Sequence, residues 1–96
     1  MLDSSDVKVC FRLYIAGEAP NSQRAVANLN AFCLANLAGR HFIELVDVLE
    51  HPEQALANKI FLTPQLVITS PSPAQTIIGD LSDSAVLSAR LGRVTG

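Results

Sequence analysis

Residues 7–37 read VKVCFRLYIAGEAPNSQRAVANLNAFCLANL, and this stretch decides the fold. From Val7 to Ile15 every second residue is apolar, which predicts a strand with one face in a core. The strand breaks at Ala16-Gly17. Pro20 suits a first helical turn, where its missing N–H has no partner to lose. Behind it, apolar residues recur at three- and four-residue spacing, which predicts a helix from about Asn21 to Leu37.

A second strand is predicted from Phe42 to Leu49, a stretch that is rich in apolar and β-branched residues. Its near-continuous apolarity favours a strand that is covered on both faces, as in a parallel sheet. A strand, a helix and a strand of these lengths form a right-handed βαβ unit.

The second half carries shorter elements. It predicts a short helix from near Pro52, strands over Gln65–Thr69 and Gln75–Ile78, and a last helix capped by Ser82 or Asp83. The resulting order, β-α-β-α-β-β-α, is an α/β pattern of the thioredoxin-like type. With no linker or repeat in sight, residues 1–96 are expected to form a single domain.

Composition limits the classes of function. About half of the residues are apolar, the net charge is −2 and the basic residues are scattered, so no nucleic-acid partner is expected. No apolar run approaches the roughly 20 residues that span a bilayer, and the N-terminus does not resemble a secretory signal. We therefore expect a cytoplasmic protein without a membrane partner. Its small core makes a homo-oligomer a reasonable expectation.

The turn between the first strand and the first helix lacks redox chemistry. A disulfide oxidoreductase of this pattern places two cysteines there, whereas Gly17–Ser22 contains none. Cys10 falls in the strand and Cys33 well inside the helix, where both are expected to pack as small hydrophobes. No catalytic group, metal site or cofactor is predicted. A degenerate thioredoxin-like enzyme that uses Cys10 or Cys33, and a structural oligomer, stay open as alternatives.

Several blocks of sequence resemble the KaiB family, whose members are partners of the circadian ATPase KaiC. They occur in constant order over about residues 9–84. They are Arg12–Gly17, Pro20–Ala25, Val46–Leu49 with Pro52, Lys59-Ile60 with Thr63-Pro64, and Ile77–Ser82. The KaiB-like sensory domain of the clock output histidine kinase is the nearest competitor, but it usually departs from the first and last of these blocks.

The resemblance implies a non-enzymatic regulator that binds a KaiC-like ATPase ring and modulates its phosphorylation and ATPase cycle. KaiA, or a histidine kinase that competes with KaiB, is a further implied partner. Family members rest as homo-oligomers, dimers or tetramers, in which the second half is arranged differently from thioredoxin. They bind KaiC in the thioredoxin-like form, and both forms share the first βαβ unit. The alternatives are a divergent paralogue in a stress response and a redox-inactive interaction module.

The resemblance also implies roles for particular residues. The partner-binding set is Lys59, which it places at the KaiC interface, Arg24 on the first helix, and Ala16 and Gly17 of the turn, which also look architectural. The fold-switching set is Pro64, Pro71, Pro73, Gly79 and Asp80. Isomerisation of these prolines between the two forms is a hypothesis, and Pro64 is either a cis-proline or an ordinary loop residue.

The chain departs from the family pattern at charged positions. Glu18 and Ala19 replace a usual Asn-Thr pair, Glu44 stands where a basic residue is common, and Gln75 begins a pair that is usually basic. We also expect the chain to lack the acidic C-terminal tail that is usual in the family. Because charged positions govern partner choice, these departures bear on which partner is bound.

Overall fold

Seven helices and strands follow one another in the predicted order over residues 8–92, which are the residues that the computed structural model describes. They are β1 (Val9–Ile15), α1 (Pro20–Asn36), β2 (His41–Asp47), α2 (Pro52–Ala57), β3 (Gln65–Ser70), β4 (Gln75–Ile78) and α3 (Ser84–Arg90). The strands form one sheet in the order β2-β1-β3-β4. β1 pairs with β2 in parallel and with β3 antiparallel, and β3 and β4 form a hairpin. The predicted thioredoxin-like arrangement is therefore confirmed.

The alternation along β1 divides the core into two layers. Val9, Phe11 and Leu13 face α1 and α3, and they lie in a buried cluster with Leu29 and Leu87. Burial of each large side chain of this kind stabilises the fold by about 1.5–3 kcal/mol.

The opposite face of the sheet carries the smaller layer. Tyr14 and Val46 form a second buried cluster with Ala55 of α2 and with Ile60, which follows that helix. Tyr14 is 1% exposed, so α2 packs against a buried side chain of β1, an inner strand of the sheet.

The structure corrects two predictions about β2. The strand ends at Asp47 rather than at Leu49, because the Asp47 carboxylate accepts a hydrogen bond from the Leu49 N–H at 2.9 Å and turns the chain. β2 is also an edge strand and is not covered on both faces, since Phe42 and Leu45 are 59% and 50% exposed. Apolar content alone does not distinguish a buried strand from an edge strand.

The other boundaries agree closely with the sequence. α1 begins and ends one residue earlier than predicted, and Asp83 caps α3 by accepting from the Ala85 N–H. Val7, the predicted first residue of β1, lies outside the described residues. Of the two alternatives for Pro64, the structure has the cis-proline.

Candidate partner-docking site

The cysteine-free turn is tied to the rest of the chain through its backbone. The Ala16 N–H donates to the hydroxyl of buried Ser22 at 3.0 Å, and the Gly17 N–H donates to Asp47 Oδ1 at 3.1 Å. Asp47 therefore closes two turns at once, since the same oxygen accepts from Leu49. The backbone N–H groups of Ala16 and Gly17, two predicted partner-binding residues, are both used inside the chain.

Lys59 occupies an unusual position at the end of α2. Its N–H donates to the Leu56 carbonyl, and the Ile60 N–H donates back to the Ala55 carbonyl, which is the bond pattern of a Schellman motif. The motif needs a left-handed residue at its centre, and Lys59 supplies it with φ at +58°. Glycine usually takes this place because a side chain there costs energy.

Exposed apolar side chains surround Lys59 along the chain. We call Leu56, Lys59, Phe61 and Leu62 the α2 patch; its three apolar members are 69%, 76% and 59% exposed, respectively. Their neighbours Ala55 and Ile60 are buried in the smaller core layer, so the segment that carries the patch is anchored to the sheet. Leu49, 70% exposed, precedes the same helix and lies beside Gly17.

Sequence reasoning missed the apolar members of the α2 patch. Phe61 and Leu62 lie outside any helix or strand, where no periodicity assigns a side chain to a face. The run Ile60-Phe61-Leu62 was the available signal, since three consecutive apolar residues in a loop cannot all be buried beneath a short helix.

Arg24 and Asp80 were predicted for different roles, and the structure brings them together. Arg24 Nε lies 3.3 Å from Asp80 Oδ2, and the same guanidinium also donates to the side chain of Asn21. Hydrogen bonds from Ser82, and to a lesser degree the Arg24 contact, lower the pKa of Asp80 from its usual range.

The other predicted fold-switching residues lie around the β3–β4 hairpin. Pro64 is buried and its carbonyl accepts from the Gly79 N–H at 3.0 Å, which joins the start of β3 to the end of β4. Pro71 and Pro73 are exposed in the turn of the hairpin. These three prolines and Gly79 thus sit on one structural unit, at its two ends.

Two of the charged-position departures are satisfied within the chain. Glu44 Oε1 lies 2.9 Å from Arg12 Nε across the β1–β2 pair, and this contact raises the pKa of the Arg12 guanidinium. The side chain of Gln75 donates to the Arg90 carbonyl at 3.0 Å. Glu44 therefore leaves a neutral ion pair on the sheet surface rather than an isolated charge.

The two cysteines are not placed for joint chemistry. Cys33 is fully buried in the larger core layer, and burial raises the pKa of its thiol to about 11. Cys10 is half-buried on β1 and faces away from that layer, since it alternates with Val9 and Phe11. Both behave as packed side chains, as the sequence predicted.

Cys33 should therefore react slowly while the protein is folded. At pH 8 a thiol with a pKa near 11 is ionised in about one molecule in a thousand, and the thiolate is the reactive form. In a Cys10→Ser variant, where Cys33 alone reports, we expect alkylation by iodoacetamide to be slower by orders of magnitude than in urea. Equal rates in the two conditions would revive the thiol-enzyme alternative.

The two histidines, His41 and His51, form no further site among the described residues. His41 Nδ1 lies 2.9 Å from the Leu37 carbonyl, and His51 Nδ1 lies 3.7 Å from Glu53. Among residues 8–92, no group of three or more His, Cys, Asp or Glu side chains is arranged to hold a metal ion. Within the same residues, no helix combines the length and the apolarity needed to cross a membrane.

Comparison with known proteins gives one family and one fold. Residues 12–92 match the family model described as the KaiB domain. The circadian clock protein KaiB3 of Synechocystis is 42% identical over 77 residues, which cover 80% of this chain and 76% of that protein. The N-terminal domain of Synechococcus elongatus SasA has a similar structure, with a TM-score of 0.74 and 19% identity over 98% of this chain and 86% of that one. Chloroplastic thioredoxin z gives 0.75 and 19%, over 95% and 81%.

Proposed function

Because this chain belongs to the KaiB family, a family of circadian clock proteins, we propose that it is a non-enzymatic regulator that binds a KaiC-like ATPase ring through the α2 patch. Binding would modulate the phosphorylation and ATPase cycle of that ring and so its output signal. The observation that carries the proposal is the left-handed backbone of Lys59, a charged residue among exposed apolar side chains.

The conformation of Lys59 supports a role for its side chain. A residue other than glycine in this conformation costs about 1–2 kcal/mol, and this Schellman motif would form equally well with glycine. A functional role of the Lys59 ammonium group would explain why lysine is kept here at this conformational cost, since glycine has no side chain that could bind a partner. Strained residues of this kind concentrate at functional sites.

The apolar part of the α2 patch supports a protein partner. Large apolar side chains around one charged group form the centre of many protein interfaces, where a few residues supply most of the binding energy. The patch lies on a short helix and a loop that are anchored to the smaller core layer, so in this form of the chain little order has to be gained on binding.

The further partners follow from the same family. We propose that KaiA, or a histidine kinase that competes with KaiB, meets the chain once it is bound to the ring, and that the resting protein is a homo-oligomer in the cytoplasm. We also propose that the β3–β4 unit, which carries Pro64, Pro71, Pro73 and Gly79, rearranges between the resting and bound forms. The described arrangement is the thioredoxin-like one, and we propose that it is the binding form.

Charge reversal at Lys59 tests the proposal. We expect Lys59→Glu to weaken binding to a KaiC-like hexamer from the same source, with ATP present, by about tenfold or more. Lys59→Gly should also weaken binding while the free energy of unfolding stays equal or rises by about 1 kcal/mol, since the left-handed strain is removed. Lys8→Glu is the matched control, because it makes the same change of charge at the other exposed lysine.

The apolar arm of the same titration compares two exposed side chains. Phe61→Ala should weaken binding, whereas Leu34→Ala, at a similarly exposed residue of α1, should leave it unchanged. Neither change should alter the free energy of unfolding by more than about 0.5 kcal/mol, because both side chains are already exposed to water. Equal affinities for the wild type, Lys59→Glu and Phe61→Ala would overturn the docking site; no complex with any nucleotide would overturn the proposed function.

A further inference from the structure

The segment 79–92 consists of the loop that follows β4, together with α3 and the residues after it, and few of its side chains are buried against the rest of the molecule. Its buried contacts are those of three leucines, Leu81, Leu87 and Leu91. Two clefts, of about 190 Å³ and about 300 Å³, lie beside these buried leucines, and both are lined by Leu81, Ser82 and Leu87. Both clefts open to solvent, and most other residues of the segment are exposed, so few side chains bury it against the rest of the molecule.

Polar contacts at Asp80 add to the attachment. Asn28 donates from its side chain to the Asp80 carbonyl at 2.9 Å, and Arg24 donates to the Asp80 carboxylate at 3.3 Å. Both donors lie on α1, one turn apart. The other carboxylate oxygen accepts from the Ser82 N–H at 3.0 Å, so Asp80 joins α1 to the start of the segment.

The loop conformation gives these contacts a mechanical role. Leu81, the residue after Asp80, has φ at +62° and is 8% exposed. A leucine in this conformation is strained, and it stays there only when its surroundings hold it. The contacts from α1 hold the residue before it, and burial in the core layer holds its side chain.

We infer that the Arg24–Asp80 contact controls local opening of the segment 79–92, and that loss of this contact makes opening more frequent. Arg24 is half-exposed and can be taken by a carboxylate of another molecule, or screened by salt, without disturbance of the core. Loss of Arg24 from Asp80 then lowers the free energy of opening of this segment and leaves the sheet intact. The inference concerns the free protein and does not depend on the proposed function.

Native-state hydrogen exchange tests the inference, because it reports opening segment by segment. We expect Arg24→Gln and Asp80→Asn each to speed exchange of the α3 amides by about two- to fivefold, the range for exposed ion pairs. The double variant should add little to either single one, since both remove the same contact. Asn28→Ala, which removes the second tie, should give a comparable increase. Exchange of the β1 amides should not change in any of them.

Arg12→Gln is the matched control, because it breaks an exposed arginine–carboxylate pair that joins β1 to β2 and does not involve this segment. It should leave α3 exchange unchanged. A rise from about 0.02 M to about 0.5 M salt should speed α3 exchange in the wild type but not in Arg24→Gln. The inference fails if Arg24→Gln and Asp80→Asn leave α3 exchange as it is, or if α3 and β1 amides exchange together in every protein. Should one variant not fold, the other carries the test.

Discussion

Tyr14→Ala is expected to lower the free energy of unfolding by about 3–5 kcal/mol, the range for removal of a large buried aromatic side chain. Tyr14 is 1% exposed and forms one cluster with Val46, Ala55 and Ile60. The cavity would lie directly beneath α2, a helix of six residues that is too short to be stable without tertiary packing. A loss of this size is a large part of the stability of a domain of this length.

Urea denaturation at equilibrium measures this loss, and its control is Tyr14→Phe. The phenylalanine variant keeps the ring and loses only the hydroxyl, so we expect a loss of about 1.5 kcal/mol or less. If the two variants have the same free energy of unfolding, packing against the ring of Tyr14 does not stabilise α2.

The same change should reach the docking site, although Tyr14 does not belong to it. Lys59 keeps its left-handed conformation because Ala55 and Ile60, whose backbones are joined by a hydrogen bond of the Schellman motif, are both buried beside Tyr14 in the smaller core layer. Removal of the ring should therefore release α2, so that amide exchange over 55–60 rises and binding to a KaiC-like hexamer falls. Tyr14→Phe should keep both.

The first half of the fold was predictable because its signals are local. Alternation along β1 and three- to four-residue spacing along α1 gave both elements, the latter to within one residue at each end. The end of β2 was not predictable in this way. It depends on the Asp47 carboxylate, which accepts from Gly17 thirty residues earlier in the chain as well as from Leu49.

The candidate site divides along the same line. Lys59 was identified through the family resemblance, but its left-handed conformation follows from a hydrogen-bond pattern that sequence alone does not reveal. Arg24 and Asp80 were each singled out, yet their contact spans 56 residues of sequence. Spacing rules reach about one turn of a helix or one hairpin, so pairs at this distance appear only in the folded chain.

Gly17→Val is expected to lower the free energy of unfolding by about 2–3 kcal/mol, through the strain of a β-branched residue in the left-handed region. The φ of Gly17 is +53°, and a Cβ at this position would lie 3.1 Å from Leu49 Cδ1. Leu49 is 70% exposed, so its side chain can move aside. The backbone conformation should therefore account for most of the cost, and the contact for little of it.

Gly39 allows the two causes to be separated. Its φ is +76°, but a Cβ there would meet nothing within 4 Å, so Gly39→Ala pays for the conformation alone. We expect Gly17→Ala to cost slightly more than Gly39→Ala, and the excess to vanish when Leu49→Ala is present. If Leu49→Ala instead rescues most of the loss in Gly17→Val, the contact is the main cause. In that case the turn requires glycine for space against Leu49, and a side chain at residue 17 would displace an exposed apolar residue beside α2.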